Sequence, residues 1–296
     1  MGVEYRRPAA RTLLEYGVRS DDILDPGRVT VFFIDDYQVV RPEEVGSSEL
    51  IRQAATTRGI PVREFELEAQ FRANGSDAFI QWVDNTLDVA RTPQVLWPTD
   101  DAFDFRVVDT VQGLEGLIRG QAMAGATARL VAGFYWPWSI PEPSGDLVPD
   151  VVVGDWRMPW NARAEAGRLA KDIPRSDYWF SDPGGIDQVG CIYTAQGFEF
   201  DYVGVIVGRD LVYRPGVGWV GQPEESKDRI VSSKNVSREA FTDYVKAVYR
   251  VLLTRGLKGC YVHFIDPQTR DFVLSRLERR SAGLARAAED RTPYES

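Results

Sequence analysis

Four short stretches put amides, carboxylates and arginines at the ends of apolar segments. Asp35, Asp36 and Gln38 close the run "FFIDDYQVVRP" (32–42), and Arg72 stands at a strand-to-helix junction in "LEAQFRANGS" (67–76). In "YTAQGFEFD" (193–201), Thr194, Gln196, Gly197, Glu199 and Asp201 interrupt the apolar flanks "CIY" and "YVGVIVG". Arg255 sits between a helical pattern and a strand pattern in "YRVLLTRGLKG" (249–259). An amide both donates and accepts hydrogen bonds, and a glycine lets the backbone approach a ligand. A guanidinium is a planar, permanent charge that pairs with a carboxylate, complements a helix C-terminus or meets a phosphoryl group. Taken singly, the stretches leave these readings open. Asp35 and Asp36 fit a strand-end turn or a helix cap, Gln38 a solvated side chain, and "TAQG" a polar hairpin.

Composition narrows the chemistry. The chain has one histidine, His263, and two cysteines, Cys191 and Cys260. That leaves no zinc set and a single base for any Ser-His-Asp triad, so no metal ligands are assigned. His263, in "CYVHFID", reads as a satisfied core or strand-end residue, and the cysteines as buried reduced thiols. With 35 Lys and Arg against 44 Asp and Glu, the net charge of −9 disfavours non-specific binding of polyanions. Nucleic acid would have to be held in a local groove. Trp136 and Trp138, in "FYWPWS", read as a packed, half-buried loop rather than a base-stacking platform. No apolar run reaches the roughly 20 residues of a membrane helix, and the start has no apolar signal segment, so no membrane is expected and a cytoplasmic location is.

The elements that must hold these residues alternate between strand and helix, which points to an α/β fold with a mostly parallel sheet and helices on both faces. The 296 residues, 44% of them hydrophobic, allow one large domain or two small ones. Strands are expected at 28–35, 62–67, 103–109, 128–134 and 259–266. Helices are expected at 47–59, 75–87, about 111–124 and 239–256, the last with Phe241, Val245, Val248 and Leu252 on one face. The stretches 136–146 and 212–228, rich in Pro, Gly and Trp, read as long loops, and 275–296 as a surface helix that frays. The best boundary lies near 68–75.

In order, the four stretches resemble motifs III, IV, V and VI of the superfamily 1 helicases. More closely, "FFIDDYQVVRP", "QFRANGSDAFIQWVDNTL", "VGCIYTAQGFEFDYVGVIVG" and "YRVLLTRGLKGCYV" are similar to the Schlafen-like group of DNA/RNA helicase domains, from about residue 28 to 266. The resemblance implies a RecA-like P-loop NTPase fold in which two domains sandwich ATP with Mg²⁺ and move single-stranded DNA or RNA. It casts Gln38 as the γ-phosphate sensor and Arg72 and Arg255 as arginine fingers, which serve the charge on a transferring phosphoryl group. Gly197 would let the backbone approach the nucleotide, and Glu199 would accept from a ribose hydroxyl. Gln196 and Thr194 would link the nucleotide to the nucleic-acid track.

The sequence departs from that family in two places. No stretch matches G-x-x-x-x-G-K-[ST], and no Asp-Glu string precedes residue 28. The expectation is therefore an N-terminally truncated motor. Residues 1–70 would be the end of the first RecA-like domain, 71–266 the complete second domain and 267–296 a helical or disordered tail. Such a chain alone would bind neither ATP nor Mg²⁺ tightly and would hydrolyse NTP negligibly. It would act with the missing half of the motor or a partner chain, or else serve as a non-catalytic nucleic-acid- or protein-binding module.

Overall fold

A computed structural model describes residues 29–33, 40, 48–65, 77–97 and 103–277. Gln38, Arg72, the boundary near 68–75 and the stretch 278–296 lie outside the described residues.

The architecture is mixed α/β around five parallel strands, as a RecA-like fold requires. The strands are β1 (Asp104–Val107), β2 (Ala128–Ala132), β5 (Val189–Cys191), β6 (Phe200–Val207) and β9 (Gly256–Phe264), in the spatial order β1-β9-β6-β2-β5. β6 carries an almost unbroken apolar run, as a parallel strand covered on both faces must. Helix α3 (Val111–Met123) covers the face that bears Gly204 and Tyr261. Ile118 reaches Gly204, and Gln121 donates to the Tyr261 hydroxyl at 2.9 Å. Gly204 and Val207 are an odd number of residues apart, so they face opposite ways. On the Val207 face lie α2 (Asp77–Thr86) and α5 (Arg238–Leu253), whose Trp82, Tyr249 and Leu253 line a small apolar cavity with Phe105 and Val207.

Local signals set the helix ends. Thr110 caps α3 by accepting from the Gly113 amide at 3.1 Å, and Ser237 caps α5 by accepting from Ala240 at 3.1 Å. Asp266 caps α6 (Pro267–Ser275), whose Phe272 stacks on Tyr213 at 3.5 Å. The short α1 (Ser48–Thr57) ends into Gly59, which takes the left-handed φ of +65°. The paired side chains of Asp84 and Arg250, both buried, tie α2 to α5. At the carboxyl ends of β2 and β6, Tyr249 donates to buried Asp210 at 2.7 Å and accepts from the Gly208 amide at 2.9 Å. Burial pushes the Asp210 carboxyl up to about 6.

Three sequence expectations need correction. Residues 29–33 and 62–65 are not strand, and Val29, Val31, Phe33 and Phe65 are exposed. An apolar run becomes a strand only when a neighbour completes its hydrogen-bond ladder, and neither stretch pairs with a described strand. The stretch 212–228 is not wholly loop. β7 (Leu211–Arg214) and β8 (Gly218–Gly221) form a hairpin around Gly216, with φ of +76°. A second hairpin, β3 (Val151–Val153) with β4 (Trp156–Met158), turns at Gly154 and was missed because its strands are only three residues long.

Candidate functional site

The stretch that joins β5 to β6 is not a hairpin. The two strands are parallel, with β2 between them, so residues 192–199 must return along the sheet from one end to the other. The return starts with a single helical turn, α4 (Ile192–Ala195), closed by the Gln196 amide on the Ile192 carbonyl at 2.9 Å. Gly197 follows with φ of +96°, and a Cβ there would meet nothing within 4 Å. The glycine is therefore required by backbone handedness and not by crowding. Phe198 then stacks on Phe180 at 4.1 Å with an interplanar angle of 17°.

Phe180 and Trp179 are held over this stretch by Arg129 of β2. Its guanidinium donates to the carbonyls of Trp179 (3.1 Å), Ala128 (2.8 Å) and Asp182 (2.7 Å). Burial lowers the Arg129 pKa, and the nearby Asp182 charge opposes that shift.

Arg255 comes to the same edge of the sheet from the end of α5. The Thr254 hydroxyl closes the helix on the Arg250 carbonyl at 2.9 Å, and the chain enters β9 at Gly256. The Arg255 side chain is 1% exposed, with Nε donating to Val251 O (3.3 Å) and Nη1 to Phe198 O (3.4 Å). Its backbone carbonyl accepts from the Phe200 amide at 3.0 Å. The fold thus joins Arg255 to Phe198 and Phe200, the chain neighbours of Gly197 and Glu199; Gln196 is half-buried, and Gly197 and Glu199 are exposed. Thr194 lies earlier, inside α4 and buried, where its hydroxyl accepts from Asn161 at 3.0 Å.

The two carboxylates of the stretch have separate settings. Asp201 accepts from the Thr127 amide (2.9 Å) and hydroxyl (3.0 Å) and pairs with Lys258 at 2.8 Å. Its hydrogen bond with Lys258 holds the Asp201 carboxyl below the usual carboxylate range. It joins the entries of β2, β6 and β9. Glu199, two residues earlier, is exposed at the surface.

Asn161, Arg129 and Phe180 were not singled out by sequence reasoning. Asn161 in "MPWNARAE" carries no spacing signal, since its partners at 138 and 189–194 are remote in the chain. The indoles of Trp136, Trp138 and Trp160 donate to the carbonyls of Val152, Asn161 and Pro137 at 2.7–2.9 Å, so they build the loop as packing groups. Trp136 is buried rather than half-buried. Nδ1 of His263 donates to Val108 O at 3.0 Å, burial lowers the imidazole pKa, and both cysteines are buried thiols. Among the described residues, no three His, Cys, Asp or Glu side chains gather as a metal site, and no helix is long and apolar enough to cross a membrane.

A family model described as Schlafen group 3, DNA/RNA helicase domain, matches residues 18–266. The uncharacterized protein YPL245W of Saccharomyces cerevisiae is 26% identical over 280 residues, which cover 86% of this chain and 58% of that protein. The chain spans little more than half the length of that relative. No solved structure matches this chain.

Proposed function

This chain belongs to the Schlafen group 3 DNA/RNA helicase domain family, and from that membership we propose that it is the C-terminal part of a superfamily 1-like, ATP-dependent helicase or translocase acting on single-stranded DNA or RNA. The observation that carries the reading is the shared edge of β6 and β9. There, two stretches far apart in sequence put Arg255 against the 196–199 loop through the Phe200–Arg255 and Arg255–Phe198 bonds. An arginine beside a glycine of left-handed φ and an exposed carboxylate suits a site that meets a nucleotide held by another part of the motor.

This reading keeps the expectation that the chain alone binds neither ATP nor Mg²⁺ tightly, and the turning of Arg255 onto two carbonyls is in keeping with it. Phosphoryl transfer depends on positioned charge around the phosphates. On this reading the chain alone hydrolyses ATP negligibly and needs the phosphate-cradling half of a motor, in the same or another polypeptide. Within the site, Arg255 would supply charge to the phosphates. Glu199 would accept from the ribose, and Gln196 and Thr194 would connect the nucleotide edge to the nucleic acid. Gln38 and Arg72 are assigned to the phosphate side by the family resemblance alone.

The burial of Arg255 favours a second reading, a non-catalytic nucleic-acid- or protein-binding module on the same fold. Two titrations of the purified chain separate the readings. Labelled single-stranded DNA or RNA should bind under the first reading and under a nucleic-acid-binding module, and should not bind a protein-binding one. Under the first, adding ATP together with the upstream half of the motor restores turnover that Arg255→Ala abolishes. Turnover by the chain alone, lost in Arg255→Ala, would refute the expectation of negligible activity. Binding that never couples to ATP leaves the module.

A further inference from the structure

Asn161 lies between β4 and β5, is fully buried, and uses every polar atom it has. Its backbone amide donates to Val189 O at 2.8 Å, and its carbonyl accepts from the Trp138 indole at 2.9 Å. In the side chain, Oδ1 accepts from the Cys191 amide at 3.1 Å, while Nδ2 donates to Ala162 O at 2.9 Å and to Thr194 Oγ1 at 3.0 Å.

These partners settle which way round the side-chain amide stands. The Cys191 amide can only donate and the Ala162 carbonyl can only accept, so Oδ1 must face Cys191 and the NH₂ must face Ala162 and Thr194. With an N–H of Asn161 directed at Oγ1, the Thr194 hydroxyl hydrogen is turned away from Asn161. A hydroxyl held in this way can direct its hydrogen at an incoming group, and an anionic oxygen is the acceptor it would bind most strongly. Thr194 is 8% exposed.

We propose that Asn161 is a positioning residue that fixes the Thr194 hydroxyl as a hydrogen-bond donor to a phosphodiester oxygen of single-stranded nucleic acid. The proposal rests on the reading of Thr194 as a nucleic-acid contact and adds how that contact is set. It also explains why a polar residue is buried between the β3–β4 hairpin and β5. Cys191 and Thr194 are tied to the one side-chain amide of Asn161, and Trp138 and Val189 to its backbone.

The test uses the full chain with fluorescein-labelled oligodeoxythymidine and oligouridine at low salt. Thr194→Val should weaken binding about tenfold and Thr194→Ser should stay close to wild type, since a hydrogen bond to a charged group is at stake. Asn161→Asp keeps the acceptor for Cys191 but removes the donor to Thr194, and should lose a similar factor. In the Thr194→Val background, Asn161→Asp should add little, because both changes remove one interaction. Additive losses in that cycle would overturn the proposal.

A second readout needs no Asn161 variant. The side-chain amide resonance of Asn161 should shift when oligonucleotide is added to the wild-type chain and stay in place in Thr194→Val. An unmoved resonance in a saturated wild-type complex would overturn it as well. Displacement of the oligonucleotide by ATP alone would reassign the hydroxyl to a nucleotide phosphate and sink the phosphodiester claim. If wild type binds neither oligonucleotide, the nucleic-acid reading itself fails together with this one. Binding with an additive cycle sinks only the role of Asn161.

Discussion

The backbone amide of Phe200 donates to the carbonyl of Arg255 at 3.0 Å, so the first residue of β6 and the arginine before β9 are joined by the sheet's own ladder. Arg255 returns the connection through its side chain, from Nη1 to Phe198 O at 3.4 Å. Any displacement of the 196–199 loop therefore changes what Arg255 holds.

Arg255 has a structural duty that can be separated from phosphate chemistry. Arg255→Ala removes the guanidinium donor from the Phe198 carbonyl, leaves the Val251 carbonyl with the Thr254 hydroxyl and without the Arg255 Nε, and opens a void, and should cost about 2–4 kcal/mol. Calorimetry would register this as a clear fall in Tm in the absence of nucleotide. A Tm equal to wild type would mean that the carbonyl bonds contribute nothing.

Asp210 makes stability depend on pH in a direction opposite to the usual acid effect. Its carboxyl is raised from 3.8 to about 6 by burial. Between those values the folded chain keeps a proton that the unfolded chain releases, so stability falls as pH rises through the window. The gap is worth on the order of 3 kcal/mol. Asp210→Asn removes this dependence. The Tm difference of variant minus wild type should therefore become more positive from pH 4 to pH 7, whatever the substitution costs at pH 4. A constant difference would show that Asp210 titrates normally.

Asp201 works in the other sense. Lys258 and Thr127 favour its charged form, so its contribution is present at neutral pH and is lost as pH falls through the depressed folded value. Asp201→Ala removes the acceptor for the Thr127 amide and hydroxyl and should cost about 1–3 kcal/mol at pH 7, with a smaller penalty in acid. Urea melts at pH 7 and pH 3 would show the contrast. Equal penalties would exclude an ionic contribution.

Two glycine substitutions should move stability in opposite directions. At Gly190 in β5 a Cβ would run into the Trp179 ring, so Gly190→Ala should destabilise by about 1–3 kcal/mol. At Gly116, inside α3, a Cβ meets nothing within 4 Å, and Gly116→Ala should stabilise by about 0.5–1 kcal/mol. A denaturant midpoint that rose for Gly190→Ala would mean that Trp179 is not packed as described.

Parts of the fold were legible because the relevant signals are local. The apolar run of β6 and the four-three-four spacing of Phe241, Val245, Val248 and Leu252 lie within single segments and depend only on the periods of strand and helix. The series of four motifs was also readable, because order along a chain survives in its sequence. The β7–β8 hairpin departs from the loop expected at 212–228: "RPGVG" between apolar pairs is also a turn signal, and composition rich in Pro and Gly does not distinguish a turn from a loop.

Within the site, the sequence alone determined the residue types at 194–201 and Arg255 at the junction of a helix and a strand. It also made Gly197 the one residue there that takes φ of +96° without strain. Only the tertiary structure decided that β5 and β6 are not neighbours, which removes the polar-hairpin reading of "TAQG" and makes the stretch a return along the sheet. It separated Asp201, bound to Thr127 and Lys258, from exposed Glu199, and it put Asn161 behind Thr194. The reason is physical. Strand order and buried polar partnerships are set by contacts between residues dozens of positions apart, and no period or neighbour in the chain records them.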